Sequence, residues 1–108
     1  MKPEDVRRLA TALPETVEGA HSGHPDFRVG GRIFATLWVD EERVVLRLGP
    51  AEQAAWIEAE PDLFEPLDGA WGRRGWTSLA LWDAGETILA QALLAAWRGV
   101  AADAYDRI

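Results

Sequence analysis

The chain has 108 residues, 48% of them hydrophobic and 27% charged, a composition that suits one globular domain spanning 1–108 and excludes a disordered or fibrous chain. It contains no cysteine, which removes disulfides and thiolate metal sites. Its net charge of −7 argues against an evenly spread affinity for nucleic acid or membrane.

Pro3 to Leu13 carries Val6, Leu9, Ala10 and Leu13 on one helical face. Pro3 suits a first turn, Glu4 and Asp5 complement the dipole, and Pro14 ends the helix. The opening Met1-Lys2-Pro3-Glu4-Asp5 lacks the apolar stretch of a secretion signal, and no run approaches a membrane span. A cytoplasmic location with no membrane partner is therefore expected.

Glu15 to Ala20 predicts a short strand, and His21 to Pro25 a loop leading into Phe27-Arg28-Val29. Gly30-Gly31 is a hairpin signal, because both central residues of a primed turn need positive φ. Arg32 to Val39 and Arg43 to Leu48 predict two further strands around an acidic turn at 40–42, completing an antiparallel meander. A short helix follows Gly49-Pro50 and closes at Pro61. Leu63 to Leu67 is irregular or a brief strand, Asp68 to Gly75 a glycine-bearing loop, and Trp76 to Trp82 the last strand. Asp83 and Glu86 have capping-box spacing ahead of a helix with Ile88, Leu89, Ala92, Leu93, Ala96, Trp97 and Val100 on one side. Gly99 suits its C′ position, though Val100 allows an extension. Amphipathic helices need one sheet face to cover, so the expected fold is α+β, a two-layer sandwich of an antiparallel sheet with helices on one face.

Side chains alternate along a strand, which sorts each run into two faces. Ile33, Ala35, Leu37, Val44, Leu46, Leu79 and Leu81 form an aliphatic set for the helices to cover. The opposite set gathers Arg28, Arg32, Phe34, Trp38, Arg47 and Trp76, and such an open face can stack bases and hold phosphates. The competing arrangement packs these aromatics beneath a loop, a helix or a dimer partner, with arginine stems lying over them. Charge is distributed to match. The stretches 21–39, 43–50 and 69–82 hold six arginines and one acid, against 5 basic and 17 acidic residues elsewhere.

Trp71-Gly72-Arg73-Arg74-Gly75-Trp76 is the most distinctive string. Glycines admit an anion to the backbone, paired guanidiniums offer forked donors, and indoles supply stacking surfaces. In the competing arrangement the tryptophans plug the sheet edge and the arginines pair with Glu58, Glu60, Asp62 or Glu65. His21, His24 and Asp26 share a short stretch, but three donors in a loop are thin support for a metal, and none is expected. Ser22 and Ser78 lack a nucleophile-elbow context, and phosphate-loop and dinucleotide fingerprints are absent, so no enzyme is expected.

Gly23-His24-Pro25-Asp26-Phe27-Arg28-Val29-Gly30-Gly31-Arg32-Ile33-Phe34-Ala35 and Gly69-Ala70-Trp71-Gly72-Arg73-Arg74-Gly75-Trp76-Thr77 resemble two signature stretches of the YjbR/MmcQ-like family. Leu13 to Glu18 and Ala96-Trp97-Arg98 also fit, so the resemblance spans nearly the whole chain. It implies a frataxin/CyaY-like sandwich and, since members are commonly labelled DNA-binding, a nucleic-acid ligand. It carries no catalytic residues. The expected function is a non-enzymatic, cofactor-free module that binds nucleic acid through the arginine/tryptophan sheet face and the 71–76 loop, at Arg28, Arg32, Trp38, Arg47, Arg73, Arg74 and Trp76. The alternatives are a protein-interaction or homodimerisation domain using the same face, and a site for a small anion at Arg73 and Arg74.

Overall fold

A computed structural model describes residues 1–105. Six strands, β1 (Val17–His21), β2 (His24–Val29), β3 (Arg32–Trp38), β4 (Arg43–Arg47), β5 (Phe64–Pro66) and β6 (Trp76–Ala80), form one antiparallel sheet in the order β1-β2-β3-β4-β6-β5. Helices α1 (Pro3–Thr11), α2 (Pro50–Ala59) and α4 (Glu86–Tyr105) lie against one face, and the short α3 (Gly69–Arg73) flanks the other. The fold is the expected two-layer α+β sandwich.

Local chemistry explains the elements. α1 begins at Pro3, where the missing N–H costs nothing, and the Asp5 carboxylate accepts from the Lys2 N–H at 2.8 Å. Its Val6 and Ala10 are buried, and it packs on α4. The central helix α4 buries Leu89, Ala92, Leu93, Ala96, Val100 and Ala101 over β2, β3 and β4. Phe27, Phe34, Leu37, Leu46 and Leu79 meet it from the sheet at 1% exposure or less. α2 covers the β5 side, with the Trp56 and Phe64 rings 5.0 Å apart.

Several boundaries differ from expectation. The first strand runs Val17–His21 rather than 15–20, and His24 pairs with His21. The stretch read as a loop is thus a two-residue Ser22-Gly23 turn with φ of +51° and +79°, as tight as the one at Gly30-Gly31. The capping box at Asp83 is not formed. α4 starts at Glu86, whose carboxylate bonds to Arg8 on α1 instead of reaching back, so tertiary pairing replaces the local cap. Gly99 does not end the helix, which continues to Tyr105 because Val100 and Ala101 still bury apolar surface. The span 68–75 contains α3 rather than a loop alone.

The difference that matters most is a bulge. Arg28 pairs with Ile33 and Phe27 with Ala35, which leaves Phe34 as an extra residue in β3. The alternation breaks there. Phe34 turns into the core at 0% exposure, and Ile33 moves to the opposite face. Arg32 pairs with buried Val29 and so shares the helix side, contrary to its expected place on the open face.

Candidate functional site

Among the described residues no long helix crosses the other side of the sheet. Its side chains form transverse rows, because directly paired residues share a face. At one margin His24 stacks on Trp38 with centroids 3.8 Å apart, and Trp38 pairs with Arg43, whose guanidinium lies 5.0 Å from the indole centroid. The middle row is small: Gly19, Asp26, Thr36, Val45 and Ser78 follow one another across β1, β2, β3, β4 and β6. At the other margin Arg28 pairs with Ile33, and Arg47 with Trp76, its guanidinium 5.8 Å from that ring. Large residues at both margins and small ones between them leave a groove of about 320 Å³ with Thr36 and Val45 in its lining.

One wall comes from α3. Gln53 of α2 donates through Nε2 to the carbonyls of Gly72 (2.9 Å) and Trp76 (3.3 Å) and to Thr77 Oγ1 (3.1 Å). Gly72 presses so closely on the preceding chain that a Cβ there would lie 1.7 Å from the Leu67 carbonyl oxygen. This packing sets Trp71 edge-on to Trp76, centroids 5.9 Å apart, with 58% of Trp71 exposed and Arg74 5.8 Å from its ring. All three guanidinium–indole distances fall within the range of cation–π attraction.

Asp26 is fully buried in the face. Arg28 grips it with a fork, Nε to Oδ1 at 2.8 Å and Nη2 to Oδ2 at 3.0 Å, and His21 Nδ1 lies 2.7 Å from Oδ2. The Arg28 hydrogen bonds, then the His21 bond, hold the carboxyl below the usual aspartate value against the opposing effect of burial. The same pairing raises Arg28. A Cβ at Gly19 would sit 3.0 Å from Asp26 Oδ1 and 3.3 Å from Arg28 Nε, so a glycine in mid-strand makes room for the fork.

The expected site residues therefore divide. Trp38, Arg47, Arg74 and Trp76 do share the open face. Arg28 shares it too, but its charge is committed to Asp26. Arg32 is on the other side, and Arg73 borders a separate depression with Gln53, Pro66 and Asp68, so Arg73 and Arg74 do not make one fork. Among the described residues no carboxylate lies within 4.0 Å of Arg47, Arg73 or Arg74. The expected alternative of pairing with Glu58, Glu60, Asp62 or Glu65 is not observed. Trp71 belongs to the groove as part of the expected 71–76 stretch, whereas Arg43 and His21 belong to it but were not among the predicted binding residues. Alternation already places Arg43 beside Arg47; His21 required the tight turn.

His21, His24 and Asp26 lie on paired strands rather than a loop, and no cluster of three metal-ligating side chains occurs among the described residues. No described helix is long and apolar enough to cross a membrane.

Comparison with solved structures finds DR2400 of Deinococcus radiodurans, a crystal structure described as carrying a DUF419 domain. It aligns with a TM-score of 0.75 at 20% identity, covering 89% of this chain and 75% of that one. That likeness shows the fold. No curated protein matches. The YjbR family model matches residues 11–99, which takes in both signature stretches and every side chain bordering the groove. With most of its length accounted for in this way, the chain belongs to the YjbR family.

Proposed function

We infer that the open face binds single-stranded nucleic acid along its transverse groove, with Trp71 and Trp76 stacking on bases and Arg43, Arg47 and Arg74 meeting phosphates. The carrying observation is the company these groups keep. Three indoles and three guanidiniums border a floor of small residues on a molecule of net charge −7. Among the described residues Arg47 and Arg74 have no carboxylate within 4.0 Å, Arg43 pairs with the exposed Glu41 at 3.3 Å, and the one buried acid in that floor is already neutralised. Stacking is indifferent to base identity and contributes about 1–3 kcal/mol per base, while the guanidiniums track the backbone. A B-form duplex presents stacked bases that indoles cannot reach, so single strands fit better than duplexes.

Anisotropy of labelled 10-mers at about 50 mM salt tests the reading. Three phosphate contacts predict that log K falls against log salt with a slope near −2, taking about −0.7 per contact for single strands. Arg47→Ala with Arg74→Ala should flatten that slope by about 1.4, and Trp71→Ala should weaken binding by about 5- to 100-fold at every salt concentration. Absence of binding to single-stranded DNA and RNA under these conditions would discard the proposal. The competing reading, a second copy seated on the same face, draws on the 58% exposure of Trp71. It requires a mass that rises with concentration in sedimentation and falls back to the monomer in Trp71→Ala.

A further inference from the structure

Asp26 is the one fully buried charged side chain among the described residues, and it lies on the sheet face that water reaches. Arg28 alone would satisfy it as a bidentate partner, so the bond to His21 has its main consequence at the histidine. An ionised carboxylate only accepts, which obliges His21 Nδ1 to carry the proton and leaves Nε2 with a free lone pair in the neutral ring. His21 lines the groove with 44% of its side chain exposed, and no described residue bonds its Nε2. His24 sits opposite across the hairpin, against Trp38, at the rim where the groove meets a neighbouring depression that His24 lines with Asp40 and Glu41. Beyond Trp38, Arg43 donates through Nη2 to Glu41 at 3.3 Å and through Nη1 to Ser78 Oγ at 3.4 Å, while its buried Nε has no partner among the described residues. One row thus offers an oriented base, a second imidazole and a guanidinium whose carboxylate partner, Glu41, is exposed.

We propose that the groove cleaves single-stranded RNA by transesterification, with His21 as the general base; this rests on the reading above that the groove binds single strands. His21 Nε2 removes the proton of a ribose 2′-hydroxyl. The O2′ electron pair forms a bond to the adjacent phosphorus while the bond from phosphorus to O5′ breaks. O5′ takes its proton from protonated His24, leaving a 2′,3′-cyclic phosphate and a 5′-hydroxyl end. Exchange with water then returns the proton to His24 and removes the one on His21, so the cycle closes without an oxidant, reductant or second substrate. Arg43, in the groove lining, exchanges its exposed Glu41 partner for the phosphoryl oxygens as charge builds there. Asp26 is a positioning residue, since it holds the tautomer and the ring angle of His21 and touches no substrate. DNA lacks the 2′-hydroxyl and is held without being cut.

The experiment follows 5′-labelled single-stranded RNA, the same strand with 2′-O-methyl groups, and the matching DNA, each for cleavage and for anisotropy. RNA alone is cut, yielding cyclic phosphate ends, and all three strands bind. His21→Ala lowers the cleavage rate by about 100- to 10,000-fold, far beyond any change in its affinity for the methylated strand. Asp26→Asn lowers kcat and leaves affinity for the methylated strand unchanged, a split that a general loss of folding would not produce. Binding without cleavage, cleavage of the methylated strand, or an equal rate in His21→Ala overturns the catalytic proposal and leaves the binding platform standing. Failure of all three strands to bind removes both.

Discussion

Gly72→Ala is expected to destabilise the fold by about 2–3 kcal/mol and to lower the melting temperature by roughly 10–20 °C. The added methyl would fall 1.7 Å from the Leu67 carbonyl oxygen, well inside any real contact. Neither side yields easily. Leu67 N–H donates to the Trp76 carbonyl at 3.0 Å, at the entrance to β6, and the Gly72 carbonyl is held by Gln53 from α2. Relief therefore means lifting α3 off the sheet, and Trp71 moves with it. Thermal denaturation followed by tryptophan emission would register both effects, since release of Trp71 shifts emission while the far-ultraviolet signal of the remaining sheet persists below the transition. A variant that melts with the parent would show that α3 rests on Leu67 more loosely than the packing requires.

Asp26→Asn should cost about 2–3 kcal/mol at pH 7. Removing one partner from a buried pair leaves donors without an acceptor, and here the amide would turn an N–H₂ toward either Arg28 or His21. The loss stays below that of a wholly buried pair because 38% of the Arg28 side chain and 44% of His21 remain in contact with water. The pH dependence has a definite sign. Folding lowers the carboxyl below its unfolded value of about 3.9, so the folded protein binds fewer protons, and the contribution is complete above that pH. It disappears as pH falls through the depressed folded-state value. Urea denaturation of both proteins at pH 7, 5 and 3 should show the gap between them constant at the first two and narrowing at the third. A gap that keeps its size at pH 3 would mean that the stabilisation does not come from the ionised carboxylate.

Much of the architecture was legible because its signals are local. The i, i+3, i+4 spacing of Val6, Leu9 and Ala10, the Gly30-Gly31 turn and the alternation of Val44, Leu46 and Leu48 each act over a few residues. Alternation placed Trp38, Arg47 and Trp76 on the open face, and they do lie on it, with Arg74 beside them over Trp71. The failures share a cause as well. Arg32 was misplaced since a bulge at Phe34 shifts every earlier position of β3 by one, and no residue type in that run announces a bulge. Asp83 and Glu86 satisfied a capping pattern, yet Arg8, 78 positions away from Glu86, drew the carboxylate elsewhere.

By itself, then, the order of residues determined the layers of this protein: the main helices and strands, the aliphatic side chains that turn inward apart from Ile33, and the family to which 11–99 belongs. These follow from periodicity and turn chemistry, which a chain expresses before it folds. Only the tertiary structure decided the groove. Its floor needs small residues from five strands to fall in register, its wall needs Gly72 pressed on Leu67, and the His21–Asp26–Arg28 cluster needs a two-residue turn and the bare Cα of Gly19. Each is a contact whose energy exists only once distant segments meet, so no local pattern could record it.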